Sequence, residues 1–143
     1  MLADTGHLFH IDFGHFLGNF KKWKGINRER APFVFTPSYA KMIGGEKSPN
    51  FKKFLQICTK AYNILRHNAD NFINLFLMML STGIPELQSV NDLAYLRNAL
   101  SLGIDDDEAS KRFIELVYRS LNTKSTQINF LVHILAHRSK FKG

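Results

Sequence analysis

The sequence predicts a mainly α-helical protein that begins with a short β-hairpin. Strand-like alternation is confined to the start of the chain, helix-start signals recur from Thr36 onward, and apolar residues then repeat at three-and-four spacing. The chain has 143 residues, and its hydrophobic share of 45% suits a globular protein rather than a disordered one. This length fits one domain of modest size, or a piece of a larger one.

The predicted hairpin lies at the N-terminus. A turn cluster, Asp4 to Gly6, separates the end of one strand from a second strand that runs from His7 to Asp12. In the second strand His10 alternates with Phe9 and Ile11, which gives it one polar and one apolar face. A lone hairpin is marginal in water, so it must pack on the helices or on a sheet outside the chain.

Two helix starts are marked by proline. Thr36 and Ser48 each precede a proline, which predicts an N-cap followed by the first helical residue. The first of these helices is expected to stop at Gly44 and Gly45. The second has a predicted buried face made of Phe51, Phe54, Leu55, Cys58, Ala61, Tyr62 and Leu65.

Further helices are predicted along the rest of the chain. Asp70 is the expected cap of a helix over 71–81, which is apolar nearly all round and is therefore expected at the centre. Ser89 and Asp92 resemble a capping box, and the acidic run 105–108 suits a helix N-terminus better than a calcium loop. A last amphipathic helix, with basic residues toward its end, is predicted over 126–140.

The positive charge is concentrated near the start of the chain. The net charge is +7, and the ten residues from Lys21 to Arg30 alone carry five basic residues and one acid. Glycines and asparagines in this stretch favour turns, and aromatic residues interrupt it. A basic loop with aromatics suits a polyanion such as nucleic acid, a phosphoinositide head group or an anionic membrane, whereas a plain solvated surface is the alternative.

A carboxylate precedes this loop at the end of the predicted strand. In the string Ile11-Asp12-Phe13-Gly14, the Asp12 side chain follows an apolar strand and stands just before a glycine. A carboxylate fixed in this way suits Mg²⁺, and phosphoryl transfer needs such a metal beside the nucleotide phosphates. The three letters D-F-G are a weak signal when they stand alone.

The wider sequence carries a more specific resemblance. The run from His7 to Thr36, HLFHIDFGHFLGNFKKWKGINRERAPFVFT, resembles the metal-binding motif and activation loop of the phosphoinositide 3-kinases. The runs FKKFLQICTKAYNILR, FINLFLMMLSTGIPEL and DLAYLRNALSLG resemble the helical half of that kinase domain in order and spacing. The resemblance implies a partial catalytic domain over 1–143 with the fold of a kinase C-terminal lobe, its N-terminal lobe missing. Residues 12–36 would hold the DFG motif and activation loop, and residues 37–143 the helical part.

The resemblance also implies roles for individual residues. Asp12 would be the catalytic Mg²⁺ ligand, Ile11 would contact ATP, and Phe13 and Gly14 would shape the hinge of the loop. The head group of the lipid would be bound by two basic boxes, which are Lys21, Lys22 and Lys24, then Arg28 and Arg30. Each ring phosphate adds charge with which clustered Lys and Arg form charge-assisted hydrogen bonds.

The choice of lipid stays open between two classes. The complete first box resembles class I enzymes, which implies phosphatidylinositol 4,5-bisphosphate as substrate. The spelling APFVF, the string Ile43-Gly44-Gly45 and the closing TKSTQINFLVHILAH resemble class II enzymes, which implies phosphatidylinositol or its 4-phosphate.

The implied protein is an ATP-dependent phosphatidylinositol 3-kinase of the cytoplasm that is recruited to membranes. Its partners would be the lipid, an anionic membrane touched by the activation loop and the C-terminal helix, and a regulatory subunit bound through regions outside the chain. Nucleic acid is not expected, because no nucleic-acid motif accompanies the charge. The run Met1 to Asp4 resembles the string that follows the catalytic loop, so the chain is expected to be an inactive C-terminal fragment. A non-catalytic, phosphoinositide- or membrane-binding fragment is the alternative.

The cysteine and the histidines predict neither a disulfide nor a metal site. Cys58 is the one cysteine, so a disulfide within the chain is excluded, and it is expected to be a small core residue. The histidines His7, His10 and His15 lack a fourth ligand at a defined spacing, so a zinc site is not expected.

Overall fold

A computed structural model describes residues 17–19, 22–27, 31–124 and 128, and the fold given below is the fold of these residues. They form a mainly helical structure, as the sequence predicts. The predicted N-terminal hairpin lies outside the described residues and stays a prediction. The same holds for the predicted last helix, of which residue 128 alone is described.

The helices, in chain order, are α1 Pro37–Met42, α2 Pro49–His67, α3 Ala69–Met79, α4 Asp92–Ala99 and α5 Asp106–Leu121. A short 3₁₀ turn, Leu80–Thr82, follows α3, and Gly83 then takes a left-handed φ of 77° that ends the helical path. Two strands precede the helices, β1 Lys22–Trp23 and β2 Ile26–Asn27. They form an antiparallel hairpin inside the stretch for which the sequence predicts only a loop.

The predicted cap of α2 and the predicted acidic start of α5 both make capping hydrogen bonds. Ser48 precedes α2, and its hydroxyl oxygen accepts a hydrogen bond of 3.0 Å from the backbone N–H of Phe51. Asp105 precedes α5, and its carboxylate accepts one of 2.8 Å from the N–H of Glu108. The acidic run 105–108 is therefore a helix start, as predicted.

The start of α3 corrects the prediction. The cap position is Asn68, not Asp70, and Asp70 lies in the first turn, where its charge suits the helix dipole. The Asn68 side chain donates a hydrogen bond of 2.8 Å to the carbonyl of Ile64 in α2. One residue thus ends α2 and begins α3, so the two helices follow each other without a separate loop.

The interior consists of two apolar clusters that meet at one ring. The first core is built on α3 and α4, and its buried members are Tyr62, Ala69, Ile73, Leu87, Leu93, Leu100 and Ala109. The second core is built on α1, α2 and α5, and its buried members are Ala40, Phe51, Val117 and Leu121. Phe113 packs against both cores, with its ring centroid 4.8 Å from that of Tyr62. The two cores therefore form one continuous interior.

Two burial predictions are wrong. Helix α3 is not central among the described residues, because Leu75 is 53% and Met78 is 68% exposed while Ile73 is buried. A helix that is apolar all round is covered only where other elements pack on every side, and the described elements cover one side of α3. On α2 the predicted face is also too wide, since Ala61 and Leu65 are exposed and Arg66 is buried in their place.

Arg66 joins the end of α2 to the start of α5. Its guanidinium donates to the backbone carbonyls of Leu100, at 3.0 Å, and of Ile104, and it pairs with the carboxylate of Asp106. The Arg66 side chain is 5% exposed, so the guanidinium is shielded from water, whereas its partner Asp106 is 45% exposed. Nearby, the Tyr62 hydroxyl donates to the Ala99 carbonyl at 2.8 Å. These polar contacts fix the connection between α4 and α5 against α2.

Two carboxylates at helix starts, Asp105 before α5 and Asp92 as the first residue of α4, predict a pH dependence of stability. The backbone N–H of Glu108 lowers the pKa of Asp105, and the backbone N–H of Ser89 lowers the pKa of Asp92, both from an ordinary value of 3.8. A carboxyl whose pKa is lower in the folded state contributes stability above 3.8, and that stability is lost as the pH falls through the lowered pKa. We expect the midpoint of urea unfolding to fall as the pH is lowered below this value.

Two matched variants check the cause of this pH dependence. Asp105→Asn keeps an N-cap acceptor but removes the titrating carboxylate, so its unfolding midpoint should change less between neutral and acid pH than that of the wild type. Asp107→Asn removes the same charge from the first turn of α5, where the side chain is exposed, and should keep the wild-type slope. Equal slopes in Asp105→Asn and wild type would contradict the assignment.

Candidate functional site

The described part of the basic loop is a tight hairpin. Lys22 lies opposite Asn27 and Trp23 opposite Ile26, with Lys24 and Gly25 as the two turn residues. These turn residues have φ values of 48° and 80°, the left-handed pair typical of a two-residue type I′ hairpin turn. Glycine adopts such a φ freely, whereas lysine seldom does. The turn therefore holds the exposed Lys24 at the tip of the hairpin.

The chain before the hairpin is fixed to the helical body. Leu17 packs against the first core, and the Asn19 side chain donates a hydrogen bond of 3.1 Å to the backbone carbonyl of Glu86. Gly18 lies against the ring of Tyr95 in α4, so closely that a Cβ atom on Gly18 would stand 2.7 Å from Tyr95 Cδ2. The basic loop therefore begins beside the α3–α4 connection and beside α4 itself.

The chain after the hairpin is fixed at a second place. Phe33 stacks on Phe113 with ring centroids 6.0 Å apart, and Phe35 stacks on Phe54 at 5.1 Å. Both rings pack against the second core, directly before α1 begins. The basic segment therefore lies between two apolar attachments, one on each core, and this limits where its hairpin can go.

The structure places two of the predicted site residues. Lys22 and Lys24, of the first basic box, belong to one hairpin, as a strand residue and as the turn residue two positions later. The other predicted site residues, which are Ile11, Asp12, Phe13, Gly14, Lys21, Arg28 and Arg30, lie outside the described residues. Their roles remain predictions.

The sequence interpretation missed the hairpin and its attachments. A signal for the hairpin exists, because Lys24-Gly25 ends in glycine and is flanked by residues with strand propensity, Trp23 and Ile26. No signal in one sequence identifies Tyr95 or the Glu86 carbonyl as contacts of the loop. Such contacts join residues far apart in the chain, and local patterns report only on neighbours.

The described residues contain few other candidates for chemistry. Among them no group of three or more His, Cys, Asp and Glu side chains could hold a metal ion. Cys58 is half-buried and is a member of neither core, so the predicted core role is not confirmed. Burial raises the pKa of its thiol, which lowers its reactivity. Within the same residues, no helix has the length and apolar character needed to cross a membrane.

Comparison with known proteins decides the family. Residues 1–89, more than half of the chain, match the family described as phosphatidylinositol 3- and 4-kinase. The chain belongs to this family. The match includes the predicted metal motif, the basic loop and its attachment at Glu86, and the helical architecture is consistent with the C-terminal lobe of a lipid kinase.

Individual relatives cover nearly the whole chain. It is 59% identical to phosphatidylinositol 3-kinase 3 of Dictyostelium discoideum over 96% of its length, and 57% identical to phosphatidylinositol 3-kinase 2 of the same organism, also over 96%. It is 44% identical over its whole length to the human phosphatidylinositol 4-phosphate 3-kinase C2 domain-containing subunit beta. The chain spans 8%, 7% and 9% of these relatives, respectively.

Proposed function

We propose that the chain is part of an ATP-dependent lipid kinase that phosphorylates the 3-hydroxyl of phosphoinositides. The observation that carries this proposal is the identity of 55–59% to three proteins named phosphatidylinositol 3-kinase over 96% of the chain. The aligned regions cover 96% of the chain and therefore include the metal motif and the basic loop as well as the helices. The proposal assigns catalysis to the full-length protein and not to this chain alone.

The proposed catalytic role falls on Asp12. A carboxylate there would hold Mg²⁺, which neutralises the phosphates of ATP, while Ile11, Phe13 and Gly14 would place the nucleotide and the start of the loop. Catalysis of phosphoryl transfer rests largely on positioning and on electrostatic stabilisation, so a single fixed carboxylate can contribute strongly.

The proposed lipid site is the basic hairpin. Lys24 is exposed at its tip, and Lys22 lies in the adjoining strand. With Lys21, Arg28 and Arg30 they would form charge-assisted hydrogen bonds to the ring phosphates. Attachment at both ends supports this role, because a loop held in place loses less conformational entropy when it binds a ligand.

The proposed location follows from the substrate. A phosphoinositide lies in an anionic membrane, so the protein would act in the cytoplasm and be recruited to the membrane through the basic loop and the C-terminal segment. A regulatory subunit would bind parts of the full-length protein outside this chain.

Two alternatives have support of their own. The human relative named a phosphatidylinositol 4-phosphate 3-kinase favours the 4-phosphate as substrate in place of the 4,5-bisphosphate. Unphosphorylated phosphatidylinositol is the other substrate that the class II resemblance implies. Because the chain spans under a tenth of the relatives named above, it could also bind phosphoinositides without turnover. Pulldown on phosphoinositide vesicles, paired with an ATP-turnover assay on the 143-residue chain, separates binding from catalysis.

The first basic box is expected to select the bisphosphate. In the full-length protein, changing Lys21, Lys22 and Lys24 to Ala should lower kcat/KM for phosphatidylinositol 4,5-bisphosphate by about 10-fold or more, since one charge-assisted hydrogen bond contributes about 1.5–3 kcal/mol. Unphosphorylated phosphatidylinositol, which lacks the ring phosphates, should lose much less. The measurement is a lipid kinase assay on both substrates in matched vesicles.

A second triple variant controls for total charge. Lys47, Lys52 and Lys53 are exposed near the start of α2, outside the loop, and changing them to Ala removes the same charge. This control should leave the ratio of the two kcat/KM values unchanged. An equal loss on both lipids in the loop variant would argue against a role in head-group selection.

A further inference from the structure

We propose that Gly18, Asn19 and Tyr95 form a latch that fixes the root of the basic loop, which is residues 17–19. By fixing the root, the latch would determine which head group the loop accepts. The three are positioning residues, since they would act through the loop and not by touching the lipid or ATP. This inference rests on the proposed lipid kinase function. It adds a determinant of specificity outside the basic residues themselves.

The first part of the latch is the contact between Gly18 and Tyr95. Gly18 has a φ of +82°, and a Cβ atom built on it would stand 2.7 Å from Cδ2 and 3.0 Å from Cγ of the Tyr95 ring. Real Cβ atoms do not approach ring carbons so closely, so any larger residue would push the loop or the ring away. Glycine is thus required here twice, for the backbone conformation and for the close approach.

The second part is a hydrogen bond across the fold. The Asn19 amide donates to the backbone carbonyl of Glu86 at 3.1 Å, and 67 residues separate the two in the chain. On the other side of Gly18, Leu17 packs against the first core. Leu17 and Gly18 both have left-handed φ values, 53° and 82°, which turn the chain sharply at this point. Three consecutive residues therefore hold the chain against the α3–α4 connection and α4.

The distance from the latch to the hairpin is short. Strand β1 begins at Lys22, and the three steps from Asn19 to Lys22 can span at most about 10 Å. The place of the latch therefore limits the place of Lys22 and Lys24. A loop released at this root would keep its charge but would meet the ring phosphates in many orientations, and charge-assisted hydrogen bonds need a defined geometry.

The test compares glycine variants in the full-length protein that carries this chain. Gly18→Ala should raise KM for phosphatidylinositol 4,5-bisphosphate in phosphatidylcholine vesicles several-fold, with KM for ATP unchanged and a smaller effect on phosphatidylinositol. Gly45→Ala is the matched control, because Gly45 has a similar φ of +87° with nothing within 4 Å of a built Cβ atom. The control carries the same kind of backbone strain without a clash, so it should keep the wild-type ratio of the two lipids.

Side-chain variants test the latch without a strained backbone. Asn19→Ala and Tyr95→Ala should each shift the ratio of the KM values for the two lipids in the same direction as Gly18→Ala. Tyr95→Phe keeps the ring and should therefore keep the wild-type ratio. Hydrogen exchange gives a readout that needs no activity. Backbone amides of residues 22–27 should exchange faster in Gly18→Ala and Tyr95→Ala than in Tyr95→Phe and Gly45→Ala.

The outcomes separate the latch from the proposed function. A wild-type protein that phosphorylates no lipid would overturn the proposed function and, with it, the claim about specificity, while hydrogen exchange would still decide whether the root is fixed. An unchanged lipid ratio in all three disruptive variants of an active kinase would overturn the latch as a determinant of specificity. A shift of the lipid ratio in Gly45→Ala as large as in Gly18→Ala would also overturn the latch. Backbone strain from alanine at a positive φ would then explain the shift without any contact to Tyr95.

Discussion

Asp12→Asn is expected to abolish lipid kinase activity in the full-length protein. The amide keeps the size of the side chain but removes the negative charge that would hold Mg²⁺ at the ATP phosphates. A metal in such a position contributes several kcal/mol of transition-state stabilisation, and each 1.36 kcal/mol is tenfold in rate. We therefore expect a loss of kcat of about 1000-fold or more, measured as phosphate transfer from ATP to lipid vesicles.

Lipid binding should survive this substitution. The head group is assigned to the basic loop, so Asp12→Asn should pull down with phosphoinositide vesicles as the wild type does. Asp107→Asn is the matched control, since Asp107 is an exposed residue in the first turn of α5 and no part of the loop or the metal motif, and it should keep full turnover. Wild-type turnover by Asp12→Asn would remove Asp12 from the catalytic site.

Arg66→Met is expected to be the most damaging change to stability. It would leave the buried carbonyl of Leu100 and the part-buried carbonyl of Ile104 without their donor, and Asp106 without its partner. Each buried group left unsatisfied costs about 1–3 kcal/mol, and half-exposed Asp106 adds less because water can solvate it. The free energy of unfolding should fall by about 2–5 kcal/mol, measured by urea denaturation of the chain.

A second arginine supplies the control for that measurement. Arg112 pairs with Glu108 one turn away on α5, but the two side chains are 53% and 46% exposed. Arg112→Met should cost no more than about 0.5 kcal/mol, as is typical of exposed pairs of this spacing. Similar losses in the two variants would show that the Arg66 hydrogen bonds do not hold the α4–α5 connection in place.

Residues close together in the sequence predict where helices begin more accurately than they predict which helix faces are buried. The starts of α1, α2 and α5 could be predicted because a proline at the first helical position, the Ser48 cap or an acidic first turn acts within a few residues. At α1 the proline is the signal, since the Thr36 side chain makes no capping hydrogen bond. The prediction of Asp70 as a cap is wrong because Asn68 ends α2 and also precedes the first residue of α3, and no spacing rule identifies such a shared residue. The apolar surface of α3 predicted burial, but burial depends on what packs against a helix, and the described residues cover only part of it.

The sequence predicts the chemistry of the candidate site but gives no information on the contacts that fix its shape. The charge of the loop and its aromatic residues can be read directly from the sequence, and they suggest an anionic ligand. The attachments at Tyr95 and Phe113 could not be predicted, because they join residues that are distant in the chain. Arg66 shows the same limit, since a charged residue near a helix end is expected at the surface and becomes buried only through partners on other elements.

The most direct test of the proposed function is the position of the phosphate that the full-length protein adds to a lipid. Wild-type protein and Asp12→Asn would be incubated with labelled ATP and phosphoinositide vesicles, and the inositol head groups would be released and separated by chromatography. The proposal predicts label at the 3-position with wild type and none with Asp12→Asn. Label at the 4-position, or equal label with both proteins, would contradict it.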